Sequence, residues 1–294
     1  MNLPTKPISC AIRITQLIQA VQRETGEVFY PISVEKIAID ISRQFFPDEP
    51  ISEVMGINLG DCEGMLCRVP GKKEWKIIYN NSIRSKGRVN FTVAHELGHY
   101  LLHRTSSSKD IKCTYYDMMS WDSAYGKREA EANEFASYFL MPRDLFEAQI
   151  KNNKITLHLM QHIANYFEVS LTAAILRWLK FTNKRAMLVI GKDGFVDWAW
   201  SSEFLYKSGI VLRGRKETIE LPIKSLAACR NKSFDNEAGL QHEAGIWPFK
   251  ESVYEMTLII DDYDNKTISL LLFEDRAPFR HPKHNTTNSL KKAS

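Results

Sequence analysis

The segment 91–103 constrains this chain more than any other, because it places the pattern H-E-x-x-H inside an apolar helical stretch. At about 100° per residue, His95 and His99 lie about 40° apart on one face, so both imidazoles can reach a single ion. Apolar residues fill most of the remaining circumference, which predicts a buried helix. Zinc explains two buried histidines beside an acid, with both imidazoles as ligands and Glu96 as the base that takes a proton from a metal-bound water.

A catalytic zinc usually has three protein ligands and one open position, so a third ligand must be found. His103 continues the i, i+4 series of histidines, but it lies about 12 Å along the helix axis from His95. No helix breaker separates His99 from His103, so one ion cannot bond both ends of the series at about 2 Å. We therefore expect His103 to contact a ligand, to face the substrate or to be structural.

The segment 128–140 is the better source of a third ligand. On a helical wheel, Glu129 lies at the edge of the apolar arc, whereas Glu131 and Glu134 point away from it and fit a solvated charge run. A buried carboxylate without a partner is costly, which favours Glu129 as a metal ligand. Asn133, one turn further on, lies on the same side and could hydrogen-bond the carboxylate or a ligand histidine.

These segments resemble the ImmA/IrrE-like zinc metallopeptidases. The matching residues are the helix 91–103, the pattern Glu129-x-x-Ala132-Asn133-x-Phe135-Ala136 and the sequence Leu140-Met141-Pro142. The resemblance extends over about residues 34–181. It implies His95, His99 and Glu129 as the zinc ligands and Glu96 as the general base, which is the assignment that the helical wheels also give.

The same resemblance implies a substrate class that residue spacing cannot reveal. Such peptidases cut helix-turn-helix repressors of mobile elements or stress regulons and thereby switch genes on. Other members of the family act beside toxins or within phage-like elements. We therefore expect a protein substrate, namely a DNA-binding repressor whose cleavage derepresses a stress or mobile-element regulon.

Hydrophobic periodicity predicts an α+β fold in two parts. The first part, 1–182, is a mainly α, zincin-like peptidase domain with a small β-sheet, whose strand 75–79 could pair with an extended substrate. The second part, 186–275, is a β-rich domain with a helix near 223–230; its aromatic residues fit either a core or a sensory role. The basic tail 276–294 is predicted to be disordered.

The segment 155–181 looks like a helix-turn-helix with the A-x-x-F-x-V-S pattern of repressors. A DNA reader would present basic and amide side chains on its second helix, where this chain offers only Arg177 and Lys180. The remaining positions are typical of a core, so packing or partner docking is favoured over DNA binding. His158 and His162 repeat the i, i+4 spacing without an acid after the first histidine, and a second metal is not favoured there.

Composition argues against a DNA-coating, secreted or membrane protein. The chain has 39 basic and 35 acidic residues, and five of the basic residues follow Asp275 without any acid, so the rest is close to neutral. Five cysteines without a pairing framework, no secretion signal and no long apolar stretch predict reduced thiols and a cytoplasmic location without membrane contact.

The sequence therefore predicts a cytoplasmic zinc-dependent endopeptidase, although the same donor set also binds manganese or iron. Two alternatives remain: a non-enzymatic DNA- or partner-binding regulator with a structural zinc, and a toxin-associated module with another hydrolytic role. The group that stabilises the oxyanion is open among Tyr100, His103, Tyr115, Tyr116 and Tyr125.

Overall fold

The computed structural model describes residues 3–26, 30–105, 111–114, 124–214, 217–229, 239–261 and 265–275. Over these ranges the chain forms eight α-helices and two β-sheets, which confirms the predicted α+β class. The predicted tail 276–294 and the candidates Tyr115 and Tyr116 lie outside the described residues. In the same ranges no helix combines the length and the apolarity that crossing a bilayer requires.

The first half of the chain surrounds a four-stranded sheet with helices. Its elements are α1 (Pro7–Thr25), α2 (Val34–Phe45), β1 (Ile51–Ile57), β2 (Cys62–Arg68), β3 (Trp75–Asn80), α3 (Lys86–His103), β4 (Ile111–Thr114), α4 (Ala124–Leu140), α5 (Arg143–Ile150), α6 (Leu157–Tyr166) and α7 (Leu171–Leu179). The strands lie in the order β1-β3-β2-β4. Strand β1 runs parallel to β3, and the β2–β3 and β2–β4 pairs are antiparallel.

Strand β3 lies in the interior of this sheet. It pairs with β1 on one side and with β2 on the other, and β2 and β3 form an antiparallel hairpin. Both edges of β3 are therefore taken by strands of the chain itself. The prediction that residues 75–79 could pair with a substrate is wrong, because β1 covers the edge that a substrate would need.

The second half of the chain forms a five-stranded antiparallel sheet. Its elements are β5 (Ala186–Lys192), β6 (Phe195–Ser201), α8 (Glu203–Lys207), β7 (Leu240–His242), β8 (Val253–Asp261) and β9 (Lys266–Phe273), with the strand order β6-β5-β9-β8-β7. Strands β5 and β6 form an antiparallel hairpin. Asp193 and Gly194 have φ of 50° and 86°, which is the backbone of a tight type I′ turn.

The helix predicted near 223–230 is wrong over its described part, 223–229, which forms hydrogen-bonded turns. The amide of Ser225 donates to the carbonyl of Pro222 at 2.8 Å. The amide of Ala227, which a helix would use internally, donates instead to the carboxylate of Glu255 on β8 at 2.8 Å. A long-range hydrogen bond therefore replaces the local one that a helix needs.

Strand β5 joins the two halves of the molecule because it is buried on both faces. Leu188 and Ile190 belong to the core that also contains the helices α1 to α7, whereas Met187 and Val189 pack in a second core with Trp247. The predicted boundary at 182–186 falls in the short link before β5. The division into two domains stays a prediction, and the larger apolar core crosses that boundary.

Helices α6 and α7 form a helix-turn-helix that packs against the first turn of α3. Lys86 Nζ lies 2.7 Å from Glu168, and Asn90 Nδ2 donates to the carbonyl of Glu168 at 3.1 Å. A Cβ at Gly87 would lie 2.6 Å from the carbonyl carbon of Val169, so the glycine permits this close contact. Six of the nine residues of α7 are buried, which leaves little of this helix to enter a DNA groove.

Candidate metal centre

Helices α3 and α4 approach closely at Gly98. A Cβ at this position would lie 3.2 Å from Cα of Ala132 and 3.1 Å from the ring of Phe135, which is tighter than ordinary van der Waals contact, so the glycine favours this close packing of the two helices. His95 and His99 flank Gly98 along α3. The close approach therefore brings both histidines within reach of α4.

Three buried side chains converge between these helices. The Nε2 atoms of His95 and His99 are 3.0 Å apart, and each lies 3.1 Å from one carboxylate oxygen of Glu129. None of the three is more than 1% exposed. Over the described part of the chain, this is the one group of three or more His, Cys, Asp and Glu side chains whose donor atoms could hold a metal ion.

Asn133 fixes the orientation of the His95 ring. Its Oδ1 lies 3.0 Å from Nδ1 of His95, and since an amide oxygen can only accept, Nδ1 carries the proton and donates. The Nε2 atom of His95 is therefore the one turned towards Glu129. The sequence places Asn133 on this side of α4, and the structure brings it to His95.

His103 lies behind His99 rather than beside the ion site. Helix α3 continues unbroken to His103, whose Nδ1 is 3.1 Å from Nδ1 of His99. On its other side, Nε2 of His103 is 2.9 Å from a carboxylate oxygen of Glu131. Glu131, which the helical wheel turns towards solvent, is 33% exposed and also contacts this histidine of α3.

Electrostatics favour an ionised Glu129 beside a neutral His99. Burial raises the pKa of Glu129, but the neighbouring imidazoles of His95 and His99 outweigh it and hold that pKa well below its usual range. Burial lowers the pKa of His99 to about 4. Burial also lowers the pKa of His95, but the hydrogen bond to Glu129 and the charge of Glu96 outweigh it, and the pKa of His95 is raised. A metal ion would therefore displace a proton that His95 shares with Glu129.

The donor set fits a small divalent cation. Two imidazole nitrogens and a carboxylate oxygen are a common zinc ligand set, with zinc bonds of about 2.0 to 2.2 Å to such atoms. Around a tetrahedral ion such atoms lie about 3.3 Å apart, close to the 3.0 and 3.1 Å separations between them here. Three protein ligands leave a fourth position for water or substrate.

Glu96 is the acid of the H-E-x-x-H pattern, and it lies fully buried on α3 next to His95. Strand β2 passes directly over it at Gly64. A Cβ at Gly64 would lie 2.7 Å from Oε1 of Glu96 and 2.5 Å from Cγ2 of Thr92. The space that the glycine leaves is therefore filled by the Glu96 carboxylate.

Three other residues that the sequence singles out, Tyr100, His158 and His162, do not belong to this metal-holding group. The hydroxyl of Tyr100 donates to the carbonyl of Glu49 at 2.8 Å, so Tyr100 is excluded as the group that stabilises the oxyanion. The side chain of Tyr125 lies outside the described residues. His158 and His162 are exposed, and no acid or cysteine joins them in a metal-holding group within the described ranges.

The part of the chain that contains the candidate metal centre is similar to a known protein family. The model of the IrrE N-terminal-like domain, a peptidase family, matches residues 63–179, which include both α3 and α4. The match confirms the resemblance to the ImmA/IrrE-like family over these residues. The segment 63–179 is called the IrrE-like domain below.

One similar solved structure extends beyond the IrrE-like domain. It is a Mycobacterium tuberculosis transcriptional regulator with a TM-score of 0.51 and 15% sequence identity, covering 89% of this chain and 76% of that chain. At this identity the likeness shows a shared fold. None of the curated proteins matches.

Proposed function

We propose that this chain is a zinc-dependent endopeptidase, with His95, His99 and Glu129 as the zinc ligands and Glu96 as the general base. The observation that carries the proposal is the convergence of two Nε2 atoms and one carboxylate within 3.1 Å, beside a buried acid, in a domain of a peptidase family. Zinc is favoured over manganese and iron because two imidazoles and one carboxylate are typical of zinc hydrolases.

The residues of the site have different roles in hydrolysis. Zinc, when bound, would supply a Lewis acid that activates water and polarises the scissile carbonyl. Glu96 accepts the proton of the attacking water at its carboxylate and delivers it to the leaving amine. The burial of all four residues excludes bulk water, which strengthens the charge interactions that stabilise the transition state.

We further propose a helix-turn-helix repressor as the substrate, cut in the cytoplasm to derepress a stress or mobile-element regulon. Support comes from the ImmA/IrrE-like family of residues 63–179 and from the resemblance given above. The β-rich part 186–275 is a candidate sensor, because its sheet shares a core with the helices that pack on α3.

A paired metal and cleavage assay tests the proposal. Wild type, Glu96→Gln and the control Glu147→Gln, an exposed acid on α5, are co-expressed with candidate repressors from the same genome. Wild type and Glu147→Gln should each hold about one zinc and cut, whereas Glu96→Gln should hold zinc and lose cleavage by about 100- to 10,000-fold. Absence of metal in wild type, or equal cleavage by Glu96→Gln, would contradict it.

A second candidate function is a regulator without catalysis. The similar Mycobacterium tuberculosis structure is described as a transcriptional regulator, which favours this alternative. It predicts DNA binding that weakens steeply with salt and no cleavage of any co-expressed protein. A toxin-associated hydrolase would instead cut non-peptide substrates in a mixed substrate screen.

A further inference from the structure

We propose that Glu131 is a positioning residue for the metal centre, acting through His103 to hold His99 in the tautomer whose Nε2 lone pair faces Glu129. This inference rests on the proposed function and names a part of the site that the H-E-x-x-H pattern does not contain. The structure links the three residues by hydrogen bonds of 2.9 and 3.1 Å between described side chains.

The direction of these hydrogen bonds follows from the chemistry of the end residue. An ionised carboxylate can only accept, so Glu131 requires a proton on Nε2 of His103. A neutral imidazole has one proton, which leaves Nδ1 of His103 as an acceptor. That acceptor requires the proton of His99 to be on Nδ1, and the lone pair of His99 is then on Nε2.

The resulting lone pair is where a metal ligand needs it. Nε2 of His99 lies 3.0 Å from Nε2 of His95 and 3.1 Å from Oε1 of Glu129. If His103 carried its proton on Nδ1 instead, it would donate to His99 and place the lone pair of His99 on the wrong nitrogen. The carboxylate of Glu131 prevents this alternative because it has no proton to donate.

Burial of His99 and His103 allows Glu131 to determine their tautomers. The side chains of His99 and His103 are 1% and 6% exposed, so bulk water does not compete for their nitrogens. The side chain of Glu131 is 33% exposed and lies at the rim of the site. An ionised carboxylate at the rim avoids the full cost of burying a charge and still orients the two imidazoles behind it.

The two proposed ligand histidines are therefore oriented by different side chains. A neutral amide, Asn133, fixes His95 directly, whereas a carboxylate fixes His99 through a second imidazole. The sequence carries the signal for this relay in the third histidine of the i, i+4 series. What it lacks is the placement of Glu131 opposite His103, which depends on how α3 and α4 pack.

Zinc affinity in matched variants tests the inference. Glu131→Ala should weaken zinc binding, measured by competition with a chelator, by about 10- to 100-fold. Glu131→Gln should stay within about threefold of wild type, because its amide oxygen can still accept from His103. Glu134→Ala, which removes another acid from α4, is the control for charge alone and should bind zinc as wild type does.

Two results would overturn the inference. One is wild-type zinc affinity in Glu131→Ala. The other is an equal loss in Glu131→Ala and Glu134→Ala, which would assign the effect to net charge. Thermal melting in the presence of a chelator checks that the variants fold alike.

A second measurement separates this inference from the proposed function. Nitrogen-15 NMR of the metal-free protein shows which ring nitrogen of each histidine carries the proton, and it requires neither zinc nor cleavage. Wild type should show Nε2–H for His103, and Glu131→Ala should show a mixture of tautomers at that ring. An Nδ1–H tautomer of His103 in wild type would overturn the relay even in an active peptidase, whereas the predicted tautomer in an inactive protein would leave the relay standing and contradict only the proposed function.

Discussion

Glu129 and Glu255 are both fully buried carboxylates next to a histidine, yet their surroundings differ in kind. On β8, Glu255 accepts from four groups: Nε2 of His242 at 2.7 Å, Nε1 of Trp247 at 3.0 Å, the amide of Ala227 at 2.8 Å and Oγ1 of Thr257 at 2.8 Å. These donors come from four separate points along the chain. The carboxylate of Glu255 therefore ties the loops around β8 to the sheet.

Glu129 faces two ring nitrogens, one from each histidine. Nδ1 of His95 contacts Asn133 and Nδ1 of His99 contacts His103, so Nε2 of each ring is the atom turned to the carboxylate. Three atoms that can each bind a cation lie close together, which favours a proton or a metal ion between them. The number of N–H and O–H groups that donate to a buried carboxylate thus distinguishes a structural site from a candidate metal site.

The largest effect should come from Glu255→Gln, which leaves at least one buried donor without an acceptor and turns an amide N–H towards another. We expect the free energy of unfolding to fall by about 3 to 5 kcal/mol, with zinc affinity unchanged. Urea unfolding and chelator competition measure the two quantities. A loss of zinc affinity in this variant would contradict the purely structural role of Glu255.

The same substitution in the other region, Glu129→Gln, should do the reverse. Zinc affinity should fall by more than about 100-fold, which exceeds the loss expected for residues behind the ligands. The free energy of unfolding without metal should change by less than about 1 kcal/mol, because the amide can still hydrogen-bond the histidines. A large loss of stability with zinc binding intact would show that Glu129 is structural.

Added zinc should stabilise only the proteins that keep Glu129. At a free zinc concentration of 100 times the wild-type dissociation constant, wild type and Glu255→Gln should each gain about 2.7 kcal/mol, and Glu129→Gln should gain less than about 0.4 kcal/mol. Thermal unfolding with zinc and with a chelator measures the increments. Equal increments in all three proteins would place the metal elsewhere.

The smallest effect should come from Gly64→Ala, which brings a methyl group against the Glu96 carboxylate. We expect kcat to fall by about 10- to 100-fold with zinc content unchanged, because the general base is displaced. Gly56→Ala on β1 is a matched control, since its Cβ would lie 2.7 Å from the ring of Tyr79 instead. Equal losses of kcat in both variants would show that the loss comes from a disturbed sheet and not from a displaced Glu96.

Local periodicity predicts part of the fold and of the candidate site, and tertiary packing determines the rest. The spacing of His95 and His99 and the place of Glu129 on a helical wheel predict side chains that the structure brings together, because both are properties of single helices. The partner of Glu131 could not be predicted, because His103 lies on another helix.

The sequence-based errors in the fold have the same origin. Residues 75–79 form an interior strand because the distant β1 pairs with them in parallel, and strand patterns do not reveal sheet order. Residues 223–229 do not form a helix because Glu255 captures the amide of Ala227. Both depend on contacts between residues far apart in the sequence.

The most direct test of the metal centre is X-ray absorption at the zinc edge of the loaded wild-type protein. We expect four-coordinate zinc with two imidazole nitrogens and two oxygens, one from Glu129 and one from the open position, at about 2.0 to 2.2 Å. A sulfur neighbour at about 2.3 Å, or three imidazoles with His103 among them, would contradict it.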